Sequence, residues 1–404
     1  MQRMTERQLR DRLATLDGTE PRVVVAGNFA TPWSLVALLD ASVARWRAFV
    51  LNPQTGWPRR EGFVVETPFV GPGVRGDASV RYLPMRLSLV PRLFDTLRSP
   101  DVVLLHTTPP QDGRVSLGIE VNILPAAIER VRERGGLVVA QVNARMPYTF
   151  GDAEVDVERI DLAIECDGPL PSPPARPADD VADAIGERVA SYVVDGATLQ
   201  LGIGALPDGA ARHLHGARGL RVWSELVSDG LLDLERAGTL DRDVPLQTSF
   251  LFGTAELYAW AHANPRVRLL RTETINDPAT IAARNAMLSV NTALSVDLQA
   301  QANASHVGGR IYSGFGGQPD FVVGALHSRG GHAIIALRSW HEKGDASNIV
   351  DVLRTPVTSF QHSVIVTEHG AAEIFGRSQG AQAKLLIGVA DPRAQAALEA
   401  PCTG

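Results

Sequence analysis

Three glutamates stand directly after short apolar runs: Glu165 after IDLAI, Glu225 after GLRVWS and Glu368 after SVIVT. In a parallel α/β sheet the ligand sits outside the carboxyl ends of the strands, which is where such residues emerge. A carboxylate is ionised at neutral pH and attacks a carbonyl carbon without a base to activate it, so each is a candidate nucleophile. Each also has a plainer reading as a solvated or helix-capping carboxylate. Two glycine-bearing turns join them. Gly202-Ile-Gly204-Ala-Leu-Pro-Asp208 has Pro207 where a dinucleotide fingerprint needs its third glycine, but it still presents backbone N–H groups to a phosphate or a pantetheine amide. Ser313-Gly314-Phe-Gly316-Gly317-Gln318 places three glycines in four residues, which suits either a tight bend or a backbone oxyanion site. The sequence contains no H-E-x-x-H pair or G-x-x-x-x-G-K-[ST] loop, so zincin and P-loop chemistry lack their defining residues. The ten histidines do not cluster at ligand spacing, and no metal site is expected.

Strands and turns must bring these residues to one edge. Short apolar runs such as Arg22 to Ala26, Asp101 to Leu105, Leu137 to Val142, Ala333 to Leu337 and Ser363 to Thr367 alternate with longer helix-like stretches, an α/β rhythm with buried strands. A chain of 404 residues fits two domains. The proline-dense stretch Gly168 to Asp180 neither pairs as a central strand nor continues a helix, so the expected domains are 1–178 and 179–404. Gly113-Arg-Val-Ser-Leu-Gly118 resembles Gly309-Arg-Ile-Tyr-Ser-Gly314. At nearly the same spacing, Arg134-Gly135-Gly136 and Arg329-Gly330-Gly331 each lead an apolar run. The expectation is an α/β fold of two similar, open, mostly parallel domains related by internal duplication.

Composition narrows the partners. A net charge of −6 with scattered basic residues argues against a nucleic-acid surface. Cys166 and Cys402 lack zinc or disulfide spacing, which points to a reducing, cytoplasmic setting. Met1 to Arg22 is predicted as an amphipathic helix on Leu9, Leu13 and Leu16, and no apolar run approaches the roughly 20 residues that span a bilayer.

The segments GNFATP (Gly27 to Pro32), TPPQDGRVSLG (Thr108 to Gly118), LQLGIGALPD (Leu199 to Asp208), WSELVSDGLLDL (Trp223 to Leu234), INDP (Ile275 to Pro278), SGFGGQPDFVVGA (Ser313 to Ala325) and VIVTEHGAAEIFG (Val364 to Gly376) together resemble the acetyl-CoA hydrolase/transferase family. These are the class I CoA-transferases of the 4-hydroxybutyrate and succinyl-CoA:acetate type. The resemblance covers nearly the whole chain. It implies that Glu225 is the catalytic nucleophile, with oxyanion contacts from Asn276 and the Gly317 N–H, and that Gly202, Gly204, Gly314 and Gly316 lie in the turns that meet CoA.

In that family the acyl group passes to the glutamate as an anhydride, and CoA thiolate returns to give a glutamyl-CoA thioester that an acceptor acid resolves. The implied substrates are therefore acyl-CoA and carboxylic acids, with no permanently bound cofactor. The implied assembly is a homodimer; the apolar composition of Leu385 to Ala390 suggests a surface that covers a partner, and the site is expected between the domains, where ligands favour a cleft. Alternatives on the same scaffold are an acyl-CoA hydrolase and a CoA-ester-binding protein without turnover. The chain departs from the family pattern at Val323 and Gln382, where arginines are usual, and at Asp391 and Asn348.

Overall fold

A computed structural model describes residues 1–173, 179–202, 204–355, 357 and 361–400. They form two compact units that are discontinuous in sequence. The first comprises Met1–Pro173, Gln247–Ile275 and Tyr312–Gly316; the second comprises Pro174–Leu246, Asn276–Ile311 and Gly317–Gly404. The expected boundary at residue 178 lies outside the described residues.

The first unit is built on β1 (Gln2–Arg3), β2 (Arg22–Val25), β3 (Trp46–Phe49), β4 (Phe63–Thr67), β5 (Val80–Tyr82), β6 (Val102–Thr107), β7 (Leu137–Asn143) and β8 (Leu162–Cys166). Their order is β1-β8-β7-β6-β2-β3-β4-β5, and every neighbouring pair is parallel. All six residues of β6 are buried, as a parallel strand covered on both faces requires. The order reverses between β2 and β6, the strands that precede the GNFATP and TPPQDG loops. The amino terminus departs from expectation. Its helix α1 runs only over Glu6–Leu13, opened by a Thr5–Gln8 capping box and burying Leu9 and Leu13. Gln2 and Arg3 instead extend the sheet beside Leu162 and Ala163, and the turn-forming Asp17, Gly18 and Pro21 stop the helical course well before Arg22.

The second unit carries β9 (Thr198–Leu201), β10 (Arg221–Val222), β11 (Met287–Thr292), β12 (His332–Ala336), β13 (Val364–Thr367) and β14 (Gly370–Glu373) in the order β10-β9-β11-β12-β13-β14. The sheet is parallel apart from the β13–β14 hairpin. Four helices matter below: α2 (Ala205–Arg212), α3 (Pro278–Ala282), α4 (Gln318–His327) and α5 (Gln379–Gly388).

From the reversal point, β2-β6-β7-β8 in one sheet and β9-β11-β12-β13 in the other follow the same order, so the strands at Leu137 and Ala333 hold equivalent places. The repeated Arg-Gly-Gly is one turn used twice. Gly135 and Gly330 both adopt φ +70°, a left-handed conformation that glycine takes without strain. The expected pair of similar parallel α/β domains is what the chain forms.

The stretch Leu385 to Ala390, which includes the end of α5, is spent mostly inside its own unit. Leu386, Ile387, Val389 and Ala390 pack with Ile335, Leu337 and Ile365, leaving Leu385 as its one exposed large side chain. It does not supply the apolar partner surface that its sequence suggested.

Candidate active site

The site in the second unit grows from three chain turns. Strand β10 leads into Trp223, whose N–H donates to Leu199 O at 3.1 Å, and Ser224 Oγ donates to Leu201 O at 3.2 Å. The Arg284 guanidinium stacks 3.7 Å above the Trp223 ring. These contacts tie the residues before Glu225 to the neighbouring strand. In the INDP segment, Asp277 caps α3 by accepting from Thr280 N at 2.8 Å, and Pro278 occupies the first turn, where no N–H is needed. Asn276, fully buried, is thereby fixed immediately before the cap of that helix. In the third turn Gly317 is the N-cap of α4, and its carbonyl accepts from Phe321 N at 3.1 Å.

The three meet. Asn276 Nδ2 donates to Glu225 Oε2 at 3.2 Å, and a side chain at Gly317 would overlap both of those atoms. Gly317 has φ −85°, open to any residue, so glycine is required there by the close approach and not by backbone conformation.

Burial is the main influence on the half-buried Glu225 carboxyl and pushes its pKa up to about 7; the Asn276 hydrogen bond opposes this, and the negative field of Asp320 adds to it. Asp320 is itself fully buried in the first turn of α4. Its place in the GGQPDF segment was legible, but its influence on Glu225 depends on a helix end that only the fold brings near.

The other glutamates are otherwise engaged. Glu368 accepts from Ser339 N at 2.9 Å and from Ser339 Oγ at 2.7 Å, and Glu165 forms an exposed ion pair with Arg3 at 2.7 Å. Gly202 and Gly204 flank residue 203, which lies outside the described residues, on the turn from β9 to α2. Among the described residues a methyl group on Gly202 would meet only Pro207 Cγ, at 3.7 Å, and Gly204 caps α2 with φ +119°. Gly314 and Gly316 belong to the first unit. A methyl on Gly314 would crowd Pro68 O at 2.6 Å, and Gly316 adopts a left-handed φ of +51° beside the Phe69 ring, so packing at the first and backbone conformation at the second account for glycine.

A polar ladder escaped sequence reading. Gln200 pairs in register with Ser289, and Ser289 Oγ donates to Gln200 Oε1 at 2.7 Å, while Asn291 Nδ2 donates to Ser289 Oγ at 2.9 Å. The only signal was a polar residue at every second position of an otherwise apolar run. The departures from the family pattern at Gln382 and Asp391 are locally satisfied. Gln382 Nε2 donates to Ile374 O and Arg377 O, each at 3.2 Å, and Asp391 pairs with Arg393 at 2.9 Å.

Residues 60–172 match the Acetyl-CoA hydrolase/transferase N-terminal domain and residues 253–402 the C-terminal domain. The chain is 37% identical to a 4-hydroxybutyrate coenzyme A transferase of Clostridium kluyveri over 77% of its length and 75% of the relative's. It is 34% identical to a succinyl-CoA:acetate/propanoyl-CoA:succinate CoA transferase of Fasciola hepatica over 93% and 83%. An acetyl-CoA hydrolase of Neurospora crassa is more distant, at 29% over 71% and 62%. Among solved structures, a 4-hydroxybutyrate CoA-transferase from Porphyromonas gingivalis superposes with TM-score 0.82 at 27% identity, covering 100% of this chain and 97% of that one. With a glutamate after a strand end, an amide donor and a glycine helix cap brought together, and with both domain models matched, the chain belongs to the acetyl-CoA hydrolase/transferase family.

Proposed function

We propose that the chain is a CoA-transferase that moves CoA between an acyl-CoA and a short-chain carboxylic acid through a glutamyl-CoA thioester on Glu225. The observation that carries this reading is the Glu225 carboxyl held against Asn276 Nδ2 and the side-chain-free Gly317. A Glu225 oxygen attacks the thioester carbonyl carbon, and collapse of the oxyanion expels CoA thiolate, leaving an acyl-glutamyl anhydride. The thiolate attacks the glutamyl carbonyl of the anhydride, expels the first acid as its carboxylate and forms the glutamyl-CoA thioester. An acceptor carboxylate then runs the two steps in reverse, so that the thiolate leaves on the new acyl group and Glu225 is regenerated with no net proton change. Each addition builds charge on a carbonyl oxygen, where the Gly317 N–H and the Asn276 amide are the donors in this scheme. Gly202 and Gly204 are proposed to meet the pantetheine arm. Water reaching the anhydride or the thioester in place of the acceptor acid would make the chain a hydrolase.

Borohydride added during turnover tests the reading. It should reduce the thioester and leave a mass change on the peptide containing Glu225; a protein that turns over acyl-CoA without that change removes the covalent route. Adding a short acid and following the new CoA ester separates transfer from hydrolysis. We further propose a homodimer by family likeness, and light scattering should give twice 43.3 kDa; a 43.3 kDa particle at micromolar concentration would contradict it.

The ionised carboxylate is the reactive form, so kcat/KM is expected to rise with pH through about 7 and then level. Asn276→Ala removes a bond that favours the charged form. The rising limb should therefore move to higher pH, with about a hundredfold loss on the plateau. An unmoved limb would show that the titrating group is not Glu225.

A further inference from the structure

Gln318 carries a buried donor that the reaction above leaves unused. Its side chain is only 8% exposed, and Nε2 has no hydrogen-bond partner among the described residues. Native proteins leave few such groups, because an amide stripped of water and given nothing in exchange is expensive. The location narrows the explanation. Gln318 directly follows Gly317, the residue that lies against Glu225 Oε2, and it opens α4 ahead of Pro319, which has no N–H of its own. Asn276 carries the opposite orphan: its Nδ2 is spent on Glu225, while the buried Oδ1 has no partner among the described residues. Two buried amide atoms of opposite kind are thus without a partner among the described residues, one on the residue bonded to the Glu225 carboxyl and one on the residue that follows Gly317.

We propose that Gln318 Nε2 donates a hydrogen bond to an oxygen of the substrate acyl group, the carbonyl oxygen of the acyl-CoA on one side of the reaction and a carboxylate oxygen of the free acid on the other. This rests on the reading of Glu225 as the covalent nucleophile. An N–H seeks an oxygen acceptor, and that acyl oxygen is the group both substrates share within reach of Glu225. The buried Asp320 two residues along, whose negative field already reaches Glu225, makes an added neutral donor useful where a substrate carboxylate must enter. Gln318 thus sets affinity for the acyl group rather than holding the fold.

Gln318→Met and Gln318→Glu test it. Methionine keeps the length and apolar bulk and deletes the donor; glutamate is isosteric and replaces the donor with a charge. Ligand-free Gln318→Met is expected to melt no lower than the parent chain, because no bond from Nε2 is lost. Its KM for the acceptor acid should rise, with kcat/KM falling about tenfold to a hundredfold. Gln318→Glu should bind the acid more weakly still. A melting temperature several degrees lower with unchanged kinetics in both variants overturns the proposal in favour of a structural amide. Parental kinetics and stability in both overturn it as well. Borohydride trapping keeps the failures apart: a parent chain that turns over substrate untrapped counts against the Glu225 route, whereas a trapped parent and a Gln318→Met variant with parental KM count against Gln318 alone.

Discussion

Glu225→Gln is expected to abolish transfer, by about 10⁴-fold or more, while making the folded chain more stable above pH 7. The first effect follows from covalent chemistry: a neutral amide cannot form the anhydride, and the loss of a nucleophile is not made good by the surrounding donors. The second follows from proton linkage. The native carboxyl, with its pKa raised to about 7 from 4.5, binds more protons than the unfolded chain between those values. Its contribution is therefore fully present below about 4.5 and is lost as pH rises through about 7. Above that pH the parent chain carries the whole cost of a desolvated charge, at most about 3 kcal/mol for a shift of this size, and glutamine carries none of it. The amide oxygen of the variant still accepts from Asn276 Nδ2, so packing is kept. Melting curves at pH 5 and pH 8 should show the parent and the variant converging at the acid end and separating by a few degrees at the alkaline end. A variant that is less stable at pH 8 would identify Glu225 as a structural carboxylate whose charge the fold needs.

That inversion explains why local sequence pattern could not choose among the three glutamates. Glu165, Glu225 and Glu368 all follow an apolar run, and what separates them is tertiary: a serine beside Glu368, an arginine beside Glu165, a glycine and an asparagine beside Glu225. Motif wording supplied the choice where periodicity did not. Features set by local backbone demands were legible, as in the two Arg-Gly-Gly turns with their matching left-handed glycines. Features set by distant packing were not. Nothing local in Gln247–Ile275 or Tyr312–Gly316 announces that these segments pack with the first unit, and a glutamine after two glycines reads as solvent-facing until its burial is known. The amino-terminal helix was overextended for a related reason. Leu9, Leu13 and Leu16 keep a helical spacing, yet the Asp17-Gly18 turn and the pairing of Gln2 with Leu162 confine the helix to Glu6–Leu13.

Gly317→Ala is expected to lower kcat/KM on the order of a thousandfold while leaving a folded protein. At φ −85° and ψ −5° alanine meets no backbone penalty, so the effect isolates a single methyl group. That methyl would occupy the space now filled by Glu225 Oε2 and Asn276 Nδ2, and both must move aside. The displacement acts together on the proposed nucleophile and on one of its proposed oxyanion donors. A shift of about 1 Å in reacting groups can cost a hundredfold, and losing one donor a further factor of at least ten. Overpacking costs about 1–3 kcal/mol, less than the catalytic loss because the Glu225 side is half-buried and can yield toward solvent. Burst trapping of the glutamyl thioester reads the chemical step directly and should slow in parallel with turnover. If Gly317→Ala kept its trapping rate, Glu225 would have room to react away from the α4 cap, and the Gly317 N–H would have no part in holding the oxyanion.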